Sequence, residues 1–338
     1  MPRAERVAEN LNRALHTLLD DDPRVYVLGE DIVDPYGGAF KVTKGLSSRH
    51  PGRVLATPIS EGAIVGVAGG LGLAGDKAIV EMMFGDFITL AFDQIVNFAS
   101  KSVSMYGRRV PIPLLVRCPT GGNRGYGPTH SQSLQKHFIG VPGLTLFEVS
   151  PFHDNAAVLG SALSLGQPAV LFEDKVLYTQ RMYRDGVVDE MFRFDFLGQH
   201  HPVARVHVDG AGQPDCVVIA PGGLTERVLS AARSLLLRDE IVCQVLVPSR
   251  LYPFDLDPVL PALTGARQIC VVEESTAGGT WGSEIAQAIH TRLWGTLRSP
   301  VRLVNSADSV IPSAPHLERE VLVQDSDIQQ ALREGHYR

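Results

Sequence analysis

Short apolar runs alternate along the chain with longer stretches in which apolar residues recur at helical spacing. Val7, Leu11, Ala14, Leu15 and Leu18 fall near one face of an N-terminal helix, with charged residues between them. The runs RVYVLG, RVLAT, KAIVEMMF, IPLLVR, LTLFEVS and PAVLFE, read in order between Arg24 and Glu173, have the length and apolar character of strands. Strands alternating with helices predict an α/β domain built on a mainly parallel sheet flanked by helices. The strongest helical pattern is DFITLAFDQIVNFASKSVSMYGR. There Asp86 is the expected N-cap, Ile88, Ala91, Phe92, Ile95, Val96, Ala99 and Val103 form one face, and Gly107 marks the end.

From about Glu173 to Gln213 the alternation gives way to charge, glycine and aromatics, and it resumes at DCVVIAPGG. CVVIA, VCQVLV, QICVVEES and PVRLV read as further strands, with helices near Leu224–Leu237 and Trp281–Leu293. The expected organisation is a first domain over 1–190, a linker over 191–213 and a smaller α/β domain over 214–338. A chain of 338 residues, 44% of them hydrophobic, can bury cores for both. The net charge of −6 is spread without a basic stripe, so no nucleic acid is expected as partner. No run is apolar and long enough for a signal peptide or a membrane span. Four cysteines without metal-ligand spacing point to no metal held by this chain and to a reducing, cytoplasmic compartment.

The stretch TPISEGAIVGVAGGLGLAG holds one charged residue, Glu61, at its head. Pro58 and Ser60 look like a helix entry, where an acid is favoured by the macrodipole. Gly70, Gly72 and Gly75 spell the dinucleotide fingerprint G-x-G-x-x-G, but they close a helix and lead into a strand, the reverse of the order a dinucleotide site needs. Close helix packing explains them better. The other spacing, Glu61-x4-Gly66-x2-Gly69, resembles the pyrimidine-side motif of thiamin-diphosphate enzymes. TPISEGAIVG is similar to the corresponding segment in β subunits of 2-oxoacid dehydrogenase E1 components, and the resemblance continues in order through GEDIVDPYGGAFKVTKGL, FGDFITLAFDQIVNFASK, VPIPLLVRCPTGG, THSQS, VPGLTLF, RLYPFDLDPV and EESTAGGTWGSEIAQAI.

That resemblance implies a thiamin-diphosphate pyrimidine-binding domain followed by a transketolase C-terminal-like domain, and it assigns roles. Glu61 would hydrogen-bond N1′ of the aminopyrimidine and favour the tautomer that deprotonates the thiazolium C2. Phe87 would lie against the ring with Met83 as its apolar neighbour, and His130, in the loop GGNRGYGPTHSQS, would be the acid that assists acyl transfer. The Gly-Asp pairs here lack the continuation that binds Mg²⁺ and the diphosphate in this family. An E1 α partner in an α2β2 assembly would therefore supply the metal-diphosphate half. Gly62, Gly66 and Gly69 fit a helix crossing a neighbouring chain, although packing inside one chain would select the same residues.

The reaction implied is decarboxylation of a small 2-oxoacid, of pyruvate or branched-chain type, with acyl transfer to a lipoyl E2. The alternative is transfer of a two-carbon unit, from a 2-oxoacid or ketose, to an acyl-carrier-protein thiol in a biosynthetic pathway. Thr89-Leu90-Ala91 stands where many members have Tyr-Pro-Ala, no His precedes the Pro-Gly pair near Gly140, and LTLFEVSP is about two residues longer than usual. These departures border the expected substrate side.

Overall fold

The computed structural model describes residues 4–336. The chain divides into two units. The first holds residues up to Gly121 together with Gln132–Val149 and His153–Met182; the second holds Gly122–Ser131, Ser150–Phe152 and Tyr183 onwards.

In the first unit six strands run parallel: β1 (Val25–Gly29), β2 (Val54–Ala56), β3 (Lys77–Glu81), β4 (Leu114–Thr120), β5 (Thr145–Glu148) and β6 (Ala169–Asp174), in the order β5-β6-β4-β3-β1-β2. β4, β5 and β6 are buried at every position, as strands covered on both faces must be. The N-terminal helix Val7–Asp21 lays Val7, Leu11, Ala14, Leu15 and Leu19 into a core with Val27, Ile79, Leu115 and Leu171. Leu18, expected on that face, is only partly buried.

The helix Glu61–Ala74 ends at Gly75, whose φ of +98° turns the chain so that the Asp76 amide reaches back to the Leu71 carbonyl at 3.0 Å. Its glycines are packing surfaces for the same chain. A Cβ on Gly69 would lie 2.5 Å from the Phe98 ring, one on Gly66 would lie 3.4 Å from Gln94 Oε1, and one on Gly62 would lie 3.3 Å from the Leu90 carbonyl. Of the two readings the sequence allows for these glycines, packing within one chain is the one seen here, since their missing side chains make room for the segment 90–98.

That segment departs from the uniform helix expected over 86–108. It runs as a 3₁₀ turn over Gly85–Ala91, a π-helical stretch over Gln94–Ala99 and a last α turn over Ser100–Ser102. π turns are rare and occur frequently at functional sites.

In the second unit the strand order is Arg302–Ser306, Gln268–Thr276, Cys216–Ile219, Cys243–Pro248, Val203–Val208, Phe192–Leu197. The first four are parallel and the last two antiparallel. Residues 191–213, read from sequence as a linker, therefore supply two strands of this sheet. Phe192, Phe194, Ala204 and Val206 alternate into its core, and charged residues at the intervening positions hid the pattern. No helix among the described residues is long and apolar enough to cross a membrane.

Candidate active site

The strand order of the first unit reverses at β1: β2 lies on one side, β3 and the later strands on the other. Open parallel sheets bind ligands outside the carboxyl ends of their strands at such a switch point. Three expected site residues gather on the segments that leave those ends. Glu61 opens the helix after β2, and Met83 and Phe87 lie on the segment that follows β3. Glu30, which leaves β1, joins them without having been expected.

Glu61 is only 5% exposed although it is a carboxylate at a helix start. The Ser60 side chain makes no cap hydrogen bond, while the nearby Ser60 amide favours the charged form of the Glu30 carboxyl. Glu30 is buried too, and burial followed by the nearby charge of Glu61 pushes its carboxyl above the ordinary range. Its Oε1 has no hydrogen-bond partner among the described residues. A buried acceptor beside a second buried acid calls for a donor from outside the chain. Met83 and Phe87 are partly buried, and Phe84 between them meets the edge of Phe40 with centroids 5.5 Å apart. Two acceptors with apolar and aromatic neighbours suit a flat heteroaromatic ring that carries protons on its edge nitrogens.

Beneath this edge lies a buried ionic network. The Arg117 guanidinium donates through Nε and Nη2 to both oxygens of Glu173 at 2.7 Å, and through Nη1 to Glu81 at 2.5 Å; the Tyr178 hydroxyl donates to Glu173 at 2.7 Å. One cation faces two carboxylates. Burial, reinforced by Glu173, raises the Glu81 carboxyl even though Arg117 opposes the shift. Burial alone would lower the Arg117 value, yet the two acids hold it above its ordinary one. Glu81 is the last residue of β3, so this network fixes the point from which Met83 and Phe87 depart.

Asp86 does not cap a helix as expected. Its Oδ1 accepts from the side chain of Gln132 at 2.8 Å and from its amide at 3.3 Å, while Thr120 Oγ1 donates to the Gln132 carbonyl at 2.7 Å. The aspartate thus ties the segment after β3 to the end of the THSQS stretch, a partner 46 residues away that no local signal announces.

His130 belongs to the second unit. Its Nδ1 lies 3.0 Å from the Thr129 hydroxyl and its amide donates to the Gly127 carbonyl at 3.3 Å. Two acids of that unit anchor the loop. Glu274 accepts from the Gly122 amide at 2.9 Å and pairs with Arg227 at 2.6 Å, and Glu318 accepts from the Gly125 amide at 3.0 Å. A Cβ at Gly122 would crowd the Leu322 side chain at 2.2 Å, and glycine is favoured at Gly127, where φ is +78° and a Cβ would meet Ser313 Oγ at 2.4 Å. Sequence reading found the histidine but neither anchor. Both acids sit in ordinary strand or helix contexts, and only the fold brings the loop to them.

Residues 6–180 match the family model described as "Transketolase, pyrimidine binding domain", and residues 204–328 match "Transketolase, C-terminal domain". The chain is 30% identical to the pyruvate dehydrogenase E1 component subunit beta-2, mitochondrial, of Oryza sativa subsp. japonica, covering 98% of this chain and 86% of that one. It is also 30% identical to the acetoin:2,6-dichlorophenolindophenol oxidoreductase subunit beta of Cupriavidus necator, covering 98% of each. Among solved structures, a split gene transketolase described as an inactive beta4 tetramer superposes with a TM-score of 0.72 over 99% of both chains at 18% identity.

Proposed function

Because this chain belongs to the thiamin-diphosphate-dependent transketolase family, with matches to both its pyrimidine-binding and its C-terminal domain, we propose that it is the β subunit of a 2-oxoacid dehydrogenase E1 component. It would work with an α chain to decarboxylate a small 2-oxoacid and pass the acyl group to a lipoyl E2. The observation that carries the reading is the burial of Glu61 at the switch point beside a partnerless oxygen of Glu30. End-to-end likeness to E1 β subunits supports it.

The residues present fit the aminopyrimidine half of thiamin diphosphate. When bound, that cofactor supplies an acidic C2–H and an electron sink for the electrons left by departing CO2. Glu61 holds a proton at N1′, in a site where little water competes for the hydrogen bond. Phe87 and Met83 would cover the ring and exclude solvent. Glu30, a buried carboxyl with one unpartnered oxygen beside Glu61, would offer a second polar contact to the edge of the ring. His130, whose Nδ1 lies beside the Thr129 hydroxyl, would be the proton donor to the sulfur acceptor.

Mg²⁺ and the diphosphate are assigned to the α chain. The surface for that partner is the outer face of the Glu61–Ala74 helix, where Ala63, Val67, Gly70 and Leu73 are exposed and uncharged. Ile59 and Leu90 extend it, at 80% and 63% exposure. The four free cysteines suit a reducing compartment.

Calorimetric titration of the purified chain with thiamin diphosphate and Mg²⁺ is expected to give weak binding or none, and tight binding once the α chain is added. A tight one-to-one isotherm from this chain alone would overturn the division of the site.

His130→Ala is expected to retain CO2 release to an artificial electron acceptor and to lose acyl transfer to a lipoyl domain by ~10²–10⁴-fold, the usual contribution of a general acid. Equal losses in both assays would assign His130 to the cofactor site instead. Transfer to a phosphopantetheine carrier, with none to a lipoyl domain, would favour the biosynthetic alternative.

A further inference from the structure

In the second unit the strands Gln268–Thr276 and Arg302–Ser306 run parallel as neighbours, with Cys270 opposite Arg302. Arg267 precedes the first strand and Arg302 begins the second. Together with Arg298, Ser299 and Pro300, which lead into the second strand, and Gly335 of the C-terminal helix, they line a cavity of about 670 Å³. Three arginines therefore line one concavity. Their compensation is thin: Arg302 approaches Glu334 at 3.7 Å, and among the described residues neither Arg267 nor Arg298 has an ion-pair partner.

The walls are also held in place. Gln268, with its amide oxygen facing Arg302, accepts from Arg302 Nε at 3.1 Å and donates to the Leu332 carbonyl at 3.0 Å. That contact fixes the plane of the guanidinium. The Ser299 hydroxyl donates to the Arg267 carbonyl at 3.3 Å, joining the two arginine-bearing segments.

We propose that this cavity binds a small multivalent oxyanion, a phosphate ester or a polycarboxylate, as an effector remote from the reaction. Planar guanidiniums match the paired oxygens of such anions, and a concave wall strengthens the field of like charges that Glu334 offsets only at Arg302. The volume falls within the usual range for small-molecule sites. Position separates the site from the His130 loop. The cavity lies at the amino end of the strand Gln268–Thr276, whereas Glu274, which holds that loop, lies near its carboxyl end, roughly 20 Å away at ~3.3 Å per strand residue.

The test is calorimetric titration of the full-length chain at low ionic strength, without divalent cations, using inorganic pyrophosphate and citrate in separate runs. Saturable one-to-one binding of at least one anion is expected, with affinity about tenfold or more weaker in Arg267→Ala and in Arg298→Ala. Arg267→Lys should lie between, since it keeps the charge and loses the fork. Arg292→Ala, which removes an arginine paired with Asp257 outside the cavity, should bind like the wild type. Stronger binding of pyrophosphate assigns the site to phosphate esters, and stronger binding of citrate assigns it to polycarboxylates. All these side chains are at the surface, so unliganded melting temperatures should agree and any change can be read as binding. Failure of both anions to bind at millimolar concentration, or wild-type affinity in both Arg267→Ala and Arg298→Ala, would overturn the proposal.

Discussion

Glu61→Gln should abolish exchange of the cofactor C2–H in the reconstituted α/β complex while leaving the chain folded. The amide is nearly isosteric but carries no acidic proton to share with N1′, so the loss is expected to exceed the ~10²–10⁴-fold typical of general acid–base groups. Two opposing terms keep the fold intact. The substitution forfeits a helix-start carboxylate worth ~0.3–1 kcal/mol. It also removes a negative charge that raises the Glu30 carboxyl from a neighbouring buried position, and that relief offsets the forfeit. Unfolding midpoints of the two proteins should therefore agree closely at neutral pH. Exchange at the wild-type rate would remove Glu61 from the chemistry and leave it a favourable helix-start acid only.

Arg117→Met is expected to give the largest loss of stability of any single change in the first unit. It leaves Glu81 and Glu173, both buried, facing each other without a cation, and breaking a buried ion pair in this way costs ~3–5 kcal/mol. That is a large fraction of the ~5–15 kcal/mol that holds a domain folded. The deficit should depend on pH in a defined direction. The Glu81 carboxyl is already raised by burial, and losing Arg117 removes the charge that opposes the rise, so the variant is penalised most at high pH and recovers as pH falls and Glu81 protonates. Denaturant midpoints of wild type and variant measured from pH 8 down to pH 5 should converge. Replacing Glu81, Arg117 and Glu173 together by apolar residues of similar volume should restore most of the stability, since the desolvation of three charges disappears with them. A constant deficit across this range would mean that Arg117 contributes by packing alone.

Local pattern was enough for the elements whose burial follows one regular period. The apolar stripe from Val7 to Leu15, the runs that became β1 to β6, and the helices Thr225–Asp239 and Trp281–Leu293 all carry their environment in neighbouring residues. Glu61 was legible for a related reason: a lone acid at the head of an uncharged helix is a local anomaly, and its spacing to Gly66 and Gly69 lies within one element. Where burial was irregular the pattern failed. Charged residues interleaved in Phe192–Leu197 and Val203–Val208 disguised two strands as a linker.

Partners far apart in the chain were decided by tertiary structure alone. The residues 81, 117 and 173 become one ionic network only because β3, β4 and β6 are neighbours. Glu30 reaches Ser60 and the charge of Glu61 only because β1 and β2 pair in parallel. Asp86, a plausible cap by sequence, prefers Gln132 because the fold delivers a fixed donor that water would otherwise replace. Gly62, Gly66 and Gly69 show the same division. Sequence determined that something must pass close to that helix, since a missing side chain leaves a local mark. The fold decided that it is the chain's own segment 90–98, because the identity of a contact depends on the path of the chain through space, which no short window of residues contains.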